Sequence, residues 1–168
     1  MSETKHIELV TPGGIHPRLA FLFAQMEDVR KHFKSKAEGL SVEELDQQVV
    51  EGFLRPGQLL AHSAGAEEWW IKRLLQGDSS WIQDPETEEV MGGGGKTVDE
   101  IFAYMDEVRA HTRKVLESFD EDALGRDYPY EGDDGAKYTF SVEWVLHHLV
   151  EHEAHHRGQF MLLKRMMG

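Results

Sequence analysis

One stripe of side chains limits what this chain can become. Val145, Leu149, His152, His156, Phe160, Leu163 and Met167 recur at steps of three or four residues. At about 100° per residue they share one face of a helix. The stripe is apolar enough to require burial against other elements, yet two imidazoles sit in its middle. An apolar face excludes such groups unless a hydrogen bond or a cation satisfies them. Two readings are open: core histidines bonded to neighbouring helices, or a pair at i and i+4 that offers two nitrogens to one metal ion. A single cation satisfies both rings at once, which favours the metal. His147, His148 and His155 bring the count to five in ten positions, half of the chain's ten histidines. They point more to the side and read as outer or surface residues.

The rest of the chain carries the punctuation of helices. Pro12-Gly13-Gly14 is a breaker, and Pro17, after His16, suits a first helical position. Leu19, Phe21, Leu22, Met26, Val29 and Phe33 then predict an amphipathic helix ending near Gly39. Ser41 with Glu44 forms a capping box for a short helix toward Val50. Past Arg55-Pro56-Gly57, a second long helix is predicted from about Gln58 to Gln76. Gly77 and its neighbours end it, and residues 92–95, four glycines, read as a mobile loop. Thr97 with Glu100 is another capping box, opening a helix through Phe102, Met105, Val108, Val115 and Leu116. Residues 119–138 read as an irregular connection with a small hairpin. Ser141 caps the last helix, with Glu143 in its first turn. Four long helices with long connections predict an all-α fold, a four-helix bundle, in one domain spanning residues 1–168.

Charge and composition exclude several partners. Lys plus Arg number 18 against 31 Asp plus Glu, a net charge of −13. An acidic chain without a basic block does not suit nucleic acid or an anionic membrane surface. No cysteine is present, so disulfides, thiolate metal sites and cysteine nucleophiles are ruled out. No apolar run approaches membrane-spanning length, and the first residues lack a secretory core. The expectation is a cytoplasmic protein with a small-molecule substrate.

Two imidazoles do not complete a site, and a bundle supplies further ligands from facing helices. His62 shares a face with Leu59, Ala66 and Trp69. His32 stands beside Arg30, Lys31 and Lys34, and His111 beside Arg109, Arg113 and Lys114; both read as solvated. Three nitrogens from His62, His152 and His156 leave coordination positions open, as in a catalytic zinc site. Neutral ligands leave the ion's charge uncompensated, which lowers the pKa of bound water or favours a thiolate.

Competing patterns overlap these residues. His152-Glu153-Ala154-His155-His156 is a literal H-E-x-x-H, with Glu153 in the place of a protease base. Against it stand the histidine-rich setting, the short stretch after His156 and the lack of a sheet edge for a peptide. A carboxylate-bridged di-iron site needs Glu-x-x-His on two helices, and only Glu153 to His156 fits. Glu67, Glu68, Asp133 and Asp134 are candidate proton-transfer groups that no spacing singles out. Arg157 reads as an anion contact or a bridge to an acidic helix, and Gly158 as a point of close helix approach. Gln159 reads as a group orienting a ligand histidine or as a cap on a solvated edge. Trp69 and Trp70 wall a pocket, or lie in a core or a dimer interface.

His-Glu-Ala-His-His-Arg-Gly-Gln at 152–159, with Val-Leu-His-His-Leu-Val before it, resembles the DinB/YfiT-like family. So does Leu-Leu-Ala-His-Ser-Ala-Gly-Ala-Glu-Glu-Trp-Trp at 59–70. Gly-Gly-Ile-His-Pro near the start and Gly39-Leu40-Ser41 are also similar, so the resemblance spans almost the whole chain. It implies an up-down-down-up four-helix bundle and a divalent metal, zinc or nickel, on His62, His152 and His156. It also implies a homodimer and a low-molecular-weight thiol cosubstrate such as bacillithiol or mycothiol, in a transferase or isomerase acting on a small electrophile. The alternatives are a non-catalytic, metal-stabilised stress-response or binding module, and a metal-free, pH-sensitive dimer interface.

Overall fold

The computed structural model describes residues 7–78, 94–132 and 134–168. Helix α1 spans Pro17–Ala37, α2 Val42–Asp46 and α3 Pro56–Glu68. A π-helical run, Trp69–Leu75, continues α3. Helix α4 spans Val98–Glu117, α5 Glu121–Leu124 and α6 Val142–Met167. Strands β1 (Tyr128–Glu131) and β2 (Lys137–Phe140) pair antiparallel, with Tyr128 opposite Phe140. Among the described residues the architecture is all-α apart from this hairpin.

Local chemistry sets the helix starts. Pro17 lies in the first turn of α1, where a missing N–H is harmless. Both capping boxes form: Ser41 with Glu44, and Thr97 with Glu100. The Ser141 hydroxyl accepts from Trp144 N to start α6. Two extents differ from expectation. Helix α2 stops at Asp46 rather than reaching Val50, because Gln47 turns extended, at φ −66 and ψ 124. The second long helix turns π-helical from Trp69, with Gln76 N donating to Ile71 O five residues back at 3.0 Å. Of the four glycines read as a mobile loop, Gly92 and Gly93 lie outside the described residues. Gly95 N donates to Asp46 Oδ2 at 2.9 Å.

The core is divided. One apolar cluster gathers Leu19, Phe23, Met26, Ile71, Leu116 and Leu146, beside the hairpin. The other gathers Phe33, Leu45, Leu59, Met105 and Phe160. Along each of α1, α3, α4 and α6 the two clusters are separated by one buried charged residue: Arg30, Glu67, Arg109 and Glu153. A polar layer therefore crosses the molecule between two apolar ones. The histidines lie at this level.

Candidate metal centre

His152 and His156 lie one turn apart on α6, and α3 brings His62 against them. One ring nitrogen of each lies within 4.8 Å of those of the other two. Ring centroids are 5.2 Å apart for His62 and His152, and 4.8 Å for His62 and His156. The Nε2 atoms of His152 and His156 are 3.1 Å apart. Two imidazoles on one tetrahedral zinc, each at about 2.0–2.1 Å, hold their nitrogens roughly 3.3 Å apart.

The surroundings keep the two α6 rings neutral and direct them. Burial, then the neighbouring His156 and His62, holds His152 down to about 3. Burial also lowers His156, although its bond to Gln159 opposes the shift. Both rings thus carry free lone pairs at pH 7. Gln159 Oε1 accepts Nδ1–H of His156 at 2.7 Å, which leaves Nε2 of that ring as the lone-pair atom. The Gln159 amide donates to His155 Nε2 at 2.8 Å. Of the two readings of Gln159, the structure supports the orienting one. His152 Nδ1 is buried with no hydrogen-bond partner among the described residues. Three imidazoles from two helices converge here, and the Nε2 atoms of His152 and His156 stand at about the spacing one cation would give them, so the set fits a metal ion.

Behind the histidines lies the polar layer. Arg30 donates through Nε to Glu153, through Nη2 to Glu67 at 2.8 Å and through Nη1 to Met105 O at 2.8 Å. Arg109 donates to Glu67 at 2.8 and 3.0 Å, to Glu153 at 3.2 Å and to Glu27 at 2.8 Å. Thr112 Oγ1 donates to Glu67 at 2.6 Å. Burial raises the Glu67 pKa, but the charges of Arg109 and Arg30 outweigh it and hold the carboxyl at about 2. Glu67 is therefore a fixed anion, not a proton carrier. Glu153 is spoken for by the same two guanidinium groups, so it does not serve as the base of an H-E-x-x-H protease. Read from the sequence, Arg30 and Arg109 are only charged neighbours of His32 and His111, with no role. Each interrupts an apolar stripe, Arg30 between Met26 and Phe33 and Arg109 between Met105 and Leu116, and that interruption was the available signal.

The remaining candidates divide as follows. His147 is exposed and meets Glu151 at 3.3 Å; His32 is exposed beside Asp28. His111 meets Gln76 at 2.8 Å. Glu68 is held by Lys72 and by Tyr104 at 3.1 Å. Asp134 accepts from Ala136 N in the hairpin turn, and Asp133 lies outside the described residues. Arg157 makes no bridge to an acidic helix among the described residues. Gly158 is exposed, and a Cβ there would meet nothing within 4 Å, so it marks no close helix approach. Trp69 and Trp70 are half-buried in a group of rings that reaches the hairpin. A cavity of about 480 Å³ lies between α1 and α4, lined by Glu27, Lys34 and Arg113 among others. Arg30 and Arg109 of the polar layer also line it, and two of its ion pairs are Lys34 with Asp106 and Arg109 with Glu27.

An all-α chain with three histidines drawn from two of its helices defines a protein able to hold a metal ion. The chain belongs to the mycothiol-S-transferase family, whose model matches residues 21–167. That family is part of the DinB/YfiT-like superfamily. No curated protein matches the chain. Among the described residues, no helix is long and apolar enough to cross a membrane.

Proposed function

We propose that the chain is a metal-dependent thiol S-transferase joining a low-molecular-weight thiol to a small electrophile. The observation that carries this is the convergence of His62, His152 and His156 in a chain of the mycothiol-S-transferase family. Zinc or nickel suits the three-nitrogen set, and mycothiol is the thiol the family's name supplies. A divalent ion bound there lowers the pKa of a thiol, so that thiolate predominates near neutral pH.

The chain's own residues contribute the rest. His152 and His156 are neutral, so no proton has to leave before they act as ligands. Gln159 holds His156 in the tautomer that turns Nε2 inward. Glu67 and Glu153 are committed to the arginines and add no charge to the ligand set, which leaves it favouring an anionic sulfur. In the transfer, sulfur forms a bond to the electrophilic carbon and the leaving group departs with its bonding pair. The thiol proton passes to solvent. The same reading takes the four long helices as an up-down-down-up bundle and the chain as one domain. It takes the working unit as a cytoplasmic homodimer.

The test is metal analysis of purified protein beside His152→Ala and His62→Ala, with thiol conjugation assayed on each. One equivalent of metal is expected in the parent chain, and loss of metal and of turnover together in the variants. Equal metal content in all three sinks the site. Metal without turnover for any thiol supports the non-catalytic, metal-stabilised module instead.

A further inference from the structure

The histidines do not end at the metal centre; they run on into a series of rings. His148 lies one turn before His152, at 5.9 Å between centroids. Trp144, a turn further, stacks on His148 at 5.1 Å with planes only 7° apart. Trp70 meets His148 at 5.0 Å from the π-helical run. Phe140 closes on Trp144 at 4.7 Å and on Trp70 at 5.2 Å, and Tyr138 stacks on Phe140 at 6.1 Å. The series is continuous from a ligand histidine to the hairpin. Its inner rings are half-buried, but Trp144 is 43% exposed and Tyr138 47% exposed.

Three features define what fits. The contact faces are flat, so they reward a flat partner. None of the rings carries a formal charge when His148 is neutral, so they offer an anion no ion pair. The series starts in contact with His152, so a molecule lying on it presents one end to the sulfur. We propose that these rings are the acceptor subsite of the metal centre, and that it takes a flat aromatic electrophile, with benzyl bromide as its probe. This rests on the thiol-transferase reading for its chemistry, though not for its binding. With benzyl bromide, the thiolate sulfur forms a bond to the benzylic carbon. The carbon–bromine bond breaks, bromide leaves with the electron pair, and the thiol proton has already gone to solvent.

Two measurements test the subsite. The first is calorimetric binding of 1-naphthylmethanol, an unreactive stand-in, to metal-free protein. Trp144→Leu should weaken binding roughly tenfold, the upper part of the range for one aromatic contact. Trp144→Phe should restore most of it, and Phe21→Leu, an exposed ring on α1, should change nothing. Helix content by circular dichroism verifies that the variants fold. The second is the ratio of kcat/KM for benzyl bromide over iodoacetamide in zinc-loaded protein with a small thiol. That ratio should fall by about tenfold in Trp144→Leu. Equal probe binding by parent and Trp144→Leu overturns the subsite, as does an unchanged ratio. Probe binding that depends on Trp144, with no turnover of any thiol, overturns the transferase reading and leaves the ring site standing.

Discussion

Gln159 touches two histidines at once, accepting from His156 Nδ1–H and donating to His155. Such an outer contact fixes both the tautomer and the ring angle of a ligand. Gln159→Ala should lower zinc affinity by about 10- to 100-fold, measured by competition with a chromophoric chelator. Unchanged affinity would mean that packing alone holds the ring. The sequence made His152 and His156 legible because two imidazoles interrupt an apolar stripe at helical spacing. It made His62 legible by the same rule on another helix. The sequence also argues against the literal H-E-x-x-H, and helix geometry adds a reason, since consecutive helical residues diverge by about 100°. Glu153, beside His152 in sequence, meets Arg30 and Arg109.

At the scale of elements, helix starts were legible and helix interiors less so. Capping is local: Thr97 Oγ1 accepts from Glu100 N at 3.3 Å, and the Glu100 carboxylate accepts in return from Thr97 N at 2.9 Å. Thr97→Ala should cost about 1 kcal/mol, seen as a lower urea midpoint at unchanged slope. A cost near zero would mean that α4 is held by packing alone. The π-helical run had no such local mark. Its bonds to the fifth residue back arise because Trp69 and Trp70, adjacent in sequence, both pack toward the hairpin. Tertiary packing decides that, and propensity does not report it. The buried arginines left a local mark, the interrupted stripe, but not their carboxylate partners, which for Arg30 lie 37 and 123 residues away.

For the whole molecule, the histidine centre ties stability to pH. His152 is held at about 3 in the folded chain by burial and by His156 and His62, against roughly 6.5 when unfolded. The unfolded state therefore binds protons first. Stability of the chelated protein should be intact above about pH 6.5 and fall steadily as pH drops toward 3, with His156 adding the same sign. Thermal melts at constant ionic strength check this, and His152→Ala should flatten the slope. Zinc at about 100 times its Kd should add roughly 2.7 kcal/mol at pH 7 and nothing in His152→Ala. The polar layer has a further consequence for how the molecule opens. Two apolar clusters joined across charged residues can behave as one cooperative unit or as two. Four interlocked side chains, one from each long helix, make the layer a coupling between them. Amides of Phe33, Leu60 and Phe160 should then exchange with deuterium at the same opening free energy as those of Phe23, Ile71 and Leu146. Glu153→Gln removes one charge of the lock, at about 3–5 kcal/mol. In that variant the two sets should part, each half breathing on its own while the other stays closed.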